Sequence, residues 1–374
     1  MFLIVYRKQI IGWSIGFIAL FSIAAAWTHL WWPPSASTSL PPDSEIVSMV
    51  DDLFRLRNHA ILEAKPEILE TLYDRSTRHG KWSFEHQYKK LRYLQNWTEK
   101  QGTRLTAIRS LVRIRRIDAN DRRIRVTLLA STEYRYVYID EPDKENLMRI
   151  GTYHSLDLVR CGEHWQISRE WFTDPFADAL SLNNPLVLEE RKFILSQKPK
   201  DFSNLSSRRR NALNYADTYC GAAANDEQGF KYNSKYRNYN YSGGDCANFA
   251  SQVLHEGGGG LRKTYAWNYG KGASKAWVNA HAFNRYMLQS GRGTRIAYGT
   301  YSQVLPYSYR LEPGDYIAYE KKGKVTHISV VTGADSKGYT LMNSHNADRY
   351  RVPWDLGYSD RGIRFWLVKV NYGD

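Results

Sequence analysis

The pattern of apolar and polar positions changes period several times along the chain. Residues 10–32 form an apolar run without Asp, Glu, Lys or Arg, with Arg7 and Lys8 before it and Trp27, Trp31 and Trp32 at its far end. About 20 apolar residues suffice to span a bilayer, and flanking positive charge holds the N-terminus in the cytoplasm. Residues 1–34 are therefore expected to act as a signal-anchor. The triplet Ala24-Ala25-Ala26 leaves a cleaved signal peptide as the alternative. Either reading puts the rest of the chain outside the cytoplasm, as a single-pass protein of the cell membrane or as a secreted one. A Pro/Ser/Thr-rich linker, residues 35–43, follows.

From Ser44 the period is helical: Ile46, Val50, Leu53, Phe54 and Ile61 share a face, followed by Ile68, Leu69 and Leu72, then Tyr88, Leu91 and Leu94. At Thr103 the period shortens to two. Leu105, Ala107, Arg109 and Leu111 begin a strand, and a second runs from Ile124 to Tyr138. Segments 155–159 and 165–168 complete an antiparallel meander with turns at Asn120-Asp121 and Gly162-Glu163. Helices followed by a curved sheet predict an α+β domain over residues 44–176. The pattern resembles the cone-shaped nuclear-transport-factor-2-like fold. Residues 177–207, broken by Asn183-Asn184-Pro185 and Lys198-Pro199-Lys200, read as a connector. Residues 208–374 form a second α+β unit. Helices are expected from Arg208 to Tyr219, after Asp245 and from Ser274 to Leu288, and strands at 316–319, 325–332, 339–345 and 362–370.

A net charge of +14 favours an anionic partner. Outside the cell, that means cell-envelope polymers or lipid headgroups. No nucleic-acid-binding motif is present, and nucleic acid is not expected as a partner. The 12 Trp and 27 Tyr suit a β-rich core. With three cysteines and no CxxC, the chain carries no zinc-ligand spacing, and no cofactor is implied.

Candidate chemistry centres on Gly243-Gly244-Asp245-Cys246. Asp245 is suited to cap a helix, which puts Cys246 at the first helical position. There the helix dipole and free N–H groups favour a thiolate and can stabilise an oxyanion. A second oxyanion donor is sought at Asn240 or Tyr241. His327 lies on a later strand and is the expected base. The third group, which would orient the imidazole, falls on the next strand. A hairpin symmetric about residues 333–338 sets His327 opposite Ser344. A slip of one residue sets Asn343 or His345 there and flips the face. His345 ranks first, Asn343 second, and Asp348 stands outside that pair. Asn248, Ser251 and Gln252 are expected to brace the helix.

Asp245-Cys246-Ala247-Asn248-Phe249-Ala250-Ser251-Gln252 resembles the Asp-Cys-x-Asn-Phe-x-Ser-Gln signature of the bacterial putative amidase domain family. The Pro313-Gly314-Asp315 strand, Thr326-His327-Ile328-Ser329 and Asn343-Ser344-His345-Asn346-Ala347-Asp348 fit the same family. The likeness runs from about Arg208 to the C-terminus and extends to NlpC-like and CHAP cell-wall cysteine hydrolases. It implies a papain-like fold and amide hydrolysis through a Cys-His thioester mechanism, on a peptide or peptidoglycan-like substrate. The alternative is a catalytically inactive envelope-binding or assembly module that keeps the fold.

Overall fold

The helical period that begins near Ser44 is realised as three helices: α1 (Asp43–Leu62), α2 (Pro66–Leu72) and α3 (Arg78–Gln101). The side chain of Thr77 accepts from the N–H of Gly80 to start α3, and Gly102, at φ 70°, ends it in the left-handed conformation. The computed structural model describes residues 43–373 except 121–122, 163, 178–187, 241, 258–260 and 359–360. The expected membrane segment at residues 10–32 lies outside the described residues. Among these, no helix is long and apolar enough to cross a membrane.

Four strands follow: β1 (Thr103–Asn120), β2 (Arg123–Tyr138), β3 (Glu141–Cys161) and β4 (His164–Phe172). Next come α4 (Leu188–Leu195), α5 (Ser207–Thr218), a 3-10 turn at Gly221–Ala223, and α6 (Cys246–Gln252), which runs into a π turn at Val253–Gly257. The remaining elements are α7 (Lys275–Val278), α8 (Ala280–Gln289), β5 (Gly293–Gly299), α9 (Tyr301–Ser308), β6 (Tyr316–Lys321), β7 (Lys324–Ala334), β8 (Thr340–Ser344), β9 (Arg349–Pro353) and β10 (Ile363–Val370). The architecture is mixed α+β. The polar stretch Pro142–Asn146 concealed the start of β3. The short β5 and β9 and the Pro306-bearing α9 left no periodic signal.

All the strands belong to one antiparallel sheet, ordered β1-β2-β3-β9-β8-β7-β6-β10-β5, with β4 on β3. The join is narrow: Arg149 pairs with Tyr350 and Ile150 with Arg349. Two apolar cores lie against it. One extends from Ile46, Leu53 and Trp97 through Tyr136 to Tyr319, Val331, Trp354 and Phe365. The other gathers Cys246, Phe249, Trp267, Trp277, Ile328 and Val330. Because side chains alternate along a strand, Tyr319 and Val331 meet the first core while Ile328 and Val330 meet the second.

Buried carboxylates tie the early elements to the late ones. Asp355 accepts from Lys100 Nζ at 2.5 Å, from Trp97 Nε1 at 3.3 Å and from the Tyr339 hydroxyl at 2.9 Å. Asp335 accepts from the hydroxyls of Tyr136 and Tyr138 at 3.0 and 2.7 Å. On the outer face of β3, Gly151 lets the 3-10 turn approach closely: a Cβ there would lie 2.2 Å from the carbonyl carbon of Ala222. Neither backbone can yield as a flexible side chain would. Gly151→Ala is therefore expected to destabilise the protein by about 1–3 kcal/mol through overpacking, read as a lower urea midpoint at unchanged slope.

Candidate functional site

α6 is buried along its whole length, and its polar residues are consumed in holding it. Asn248 Nδ2 donates to the Arg237 carbonyl at 3.0 Å and to Asp245 Oδ1 at 2.8 Å, and its Oδ1 accepts from Trp277 Nε1 at 2.9 Å. Ser251 Oγ donates to the Trp277 carbonyl and accepts from Trp267 Nε1, both at 2.9 Å. Gln252 accepts from the Tyr215 hydroxyl at 3.0 Å. Asn248, Ser251 and Gln252 are thus the braces the sequence suggests, and Trp267 and Trp277 are core residues.

Asp245 occupies the N-cap position but makes no side-chain cap bond. This corrects its expected role. Oδ1 accepts from the Tyr239 N–H at 2.9 Å as well as from Asn248, and Oδ2 lies 2.6 Å from His345 Nδ1. The other ring nitrogen of His345, Nε2, lies 2.8 Å from the Tyr219 carbonyl. A carbonyl can only accept, so Nε2 carries hydrogen, and an ionised Asp245 makes Nδ1 a donor too. Both bonds then describe an imidazolium. Burial works against that charge. The charge of Asp348, the bond to and charge of Asp245 and the bond to Tyr219 outweigh burial and hold His345 above its ordinary value.

The turn after β8 clasps the loop before α6. Asn346 and Ala347 take left-handed φ values of 71° and 55°. Asn346 Oδ1 accepts from the Asp245 N–H at 2.9 Å, and Asn240 Oδ1 accepts from the Asn346 N–H at 3.2 Å. A Cβ at Gly244, where φ is 120°, would sit 2.3 Å from Asn346 Nδ2. This is why glycine stands before Asp245. Asn240 Nδ2 is buried without a partner, and Tyr241 lies outside the described residues.

Cys246 is the first residue of α6 and only 5% exposed. Burial pushes its thiol up to about 11, and the charge of Asp245 adds to the rise. Backbone N–H groups of Ile328, Ala247 and Cys246 itself pull the other way. The sulfur therefore sits among donors suited to an anion, in a largely buried place.

His327 is not beside it. It pairs across the ladder with Tyr319, so the two share a face, and its ring lies 5.5 Å from those of Tyr319 and Tyr358. That is the face of the first core, opposite Ile328, Val330 and Cys246. Burial, with the nearby charge of Arg349, pushes His327 down to about 3, and its Nε2 has no hydrogen-bond partner. The expected Cys246–His327 hydrogen bond is absent.

The irregularity at Thr326 sets the face of His327, and the β7–β8 register decides where Asn343 falls. Val330 pairs with Asn343 and Val331 with Met342, and a bulge follows at Thr332. This lies two residues from the symmetric hairpin, so Asn343 stays on the face opposite His327. Asn343 Oδ1 accepts from Thr332 Oγ1 at 2.8 Å and from the Arg351 N–H at 2.7 Å. Its Nδ2 donates to the Ala216 carbonyl and to Asp217, both at 3.0 Å. No capacity is left to orient His327. His345 follows β8 on the side of Cys246: its ring stacks at 4.1 Å on Phe249, which lies one helical turn from the cysteine. The histidine on the Cys246 side of the sheet is thus His345, not His327. Asp348, the outside choice, faces the same site through its charge.

His345→Ala is expected to leave Asp245 buried without its cation and to cost about 3–5 kcal/mol. With its folded value raised, the imidazolium contributes stability fully below its unfolded value of about 6.5 and loses it as pH rises through the folded value. Urea unfolding across that range should show the decline in wild type and not in His345→Ala.

Residues 206–368 match the model of the Putative amidase domain family. Over 203 residues the chain is 29% identical to the Bacillus subtilis (strain 168) protein YjcM, covering 49% of this chain and 45% of that protein. Over 137 residues it is 28% identical to YhbB of the same organism, covering 33% of this chain and 39% of that protein. Both relatives are described as uncharacterized. The chain thus spans less than half the length of each. A solved structure, the intermembrane space region of the chloroplast protein ARC6, aligns with 36% of this chain and 98% of its own at 12% identity and a TM-score of 0.27, too distant to carry a fold assignment. The family match supports an amidase, hence hydrolase, role for the late half of the chain. By that match, the segment 206–368 is similar to the Putative amidase domain family.

Proposed function

We propose that this protein is a cysteine-dependent amide hydrolase of papain-like type, with Cys246 as nucleophile and His345, paired to Asp245, as the imidazole that serves it. The observation that carries the reading is Cys246 at the first position of a buried helix, one residue after the carboxylate that holds His345. The sulfur attacks the amide carbonyl carbon as the thiolate of a thiolate–imidazolium pair, its proton held by His345; backbone N–H groups stabilise the developing oxyanion, and on its collapse the C–N bond breaks as the imidazolium gives that proton to the leaving amine. Water then hydrolyses the thioester. The apolar run at residues 10–32 supports anchoring in the membrane with the enzyme outside, and so amide-linked cell-wall material as substrate. Helices α1–α3 against β1–β4 fit the proposed cone-like first domain.

A second reading, an inactive envelope-binding module, is favoured by two observations. The thiol is pushed up to about 11, and both nitrogens of His345 are engaged elsewhere. Activity separates the readings. Hydrolysis of peptidoglycan fragments or simple peptide amides should fall about 10³-fold or more in Cys246→Ala, together with labelling by an iodoacetamide probe. His327→Gln, where folded, should keep the activity. Full hydrolysis by Cys246→Ala would exclude the mechanism, and no hydrolysis by wild type would favour the module.

A further inference from the structure

The site at His345 is reached from the first domain. On the outer face of β3, the N–H of Gly151 donates to the Asp348 carbonyl at 2.8 Å. Tyr153, two residues on and on the same face, has its hydroxyl 2.7 Å from that of Tyr232. The Tyr232 hydroxyl donates to Asp348 Oδ2. Its proton is thus committed, so Tyr153 is the donor to Tyr232. The Ala222 N–H donates to the same carboxylate oxygen at 2.8 Å, and Ala222 is the residue pressed against Gly151. Asp348 is fully buried, and its Oδ1 has no hydrogen-bond partner. The Tyr232 ring stands edge-on to the His345 ring at 5.1 Å.

We propose that Tyr153 is a positioning residue for the His345 site: β3 of the first domain fixes Tyr232 and Asp348, and through them the imidazole on the Cys246 side of the sheet. The Asp348 carboxylate is held through one oxygen alone, by the Tyr232 hydroxyl and the Ala222 N–H. Two of the contacts that fix its residue, the Tyr153–Tyr232 bond and the Gly151–Asp348 bond, come from outside the amidase segment. The groups with charge or a titratable proton around His345 include Asp245, Asp348 and Tyr232, with Cys246 on the same side of the sheet. Those around Asp348 are His345, Tyr232, Asp245 and Cys220. Within this set, Asp348 is the charge that favours the imidazolium without bonding to it. The first domain thereby acts on the site that the preceding reading assigns to amide hydrolysis, and the inference rests on that reading for its functional meaning.

The test uses the full chain and the ring protons of His345, followed by NMR through a pH titration. Tyr153→Phe removes one hydroxyl and keeps the ring. The expected result is a fall in the His345 midpoint of roughly 0.3–1 pH unit, with a larger fall in Asp348→Asn. If hydrolysis is measurable, kcat of Tyr153→Phe should fall while KM holds, and the limb of the pH–rate profile governed by His345 should move with the NMR midpoint. A purely structural tyrosine would lower the urea midpoint and leave the His345 titration where it is. An unchanged titration in a folded Tyr153→Phe, with Asp348→Asn shifted, overturns the role of Tyr153. An unchanged titration in both overturns the relay. Because the titration needs no turnover, these results stand apart from failure of the hydrolase reading, which Cys246→Ala decides.

Discussion

The buried bond between Asp245 and His345 is the contact around which the amidase segment is arranged. An ionised carboxylate out of water costs several kcal/mol unless it is paired and hydrogen-bonded. Asp245 meets that requirement with the Tyr239 N–H, Asn248 and His345. Each partner fixes a different piece of chain: the loop before α6, the helix itself, and the turn after β8. Once the bond is made, Cys246 has one place to stand, at the head of a helix pinned by Trp267 and Trp277.

The sheet extends that constraint across the molecule. Only two residue pairs join β3 to β9, so the ladder alone is a weak link. The buried Asp335 and Asp355 reinforce it, each drawing donors from α3 or β2 toward the late strands. Removing such donors would leave a buried charge exposed to a low dielectric, which is costly. Early and late elements are therefore held together by charge satisfaction as much as by apolar contact.

Much of this was legible in the sequence. Alternation located β2, β6 and β7, and the helical period located α1 and α3. The motif over residues 245–252 marked α6 and the likeness to the putative amidase domain family. What could not be read was which face a residue takes beyond an irregularity. One extra residue, Thr326, interrupts the β6–β7 pairing, and Thr332 interrupts β7–β8. Each bulge resets the alternation locally, so the expected pairing of Cys246 with His327 failed although every strand involved was foreseen. The partner of Asp245 was missed for another reason. Asp before a helix reads as a cap by default, and only the fold brings residue 345 to it. The Asn346–Asp348 turn gave no local signal of its left-handed backbone.

The shortness of β8 has a consequence of its own. The N–H of Val331 turns toward the β6 side, where it meets the Asp315 carbonyl. Alternation turns that of Ile328 the other way, toward where β8 would run. The strand stops at Ser344, and the Ile328 N–H instead favours the thiolate of Cys246. His345 turns out of the ladder toward Asp245, so the length of one strand decides whether that donor serves the sheet or the site.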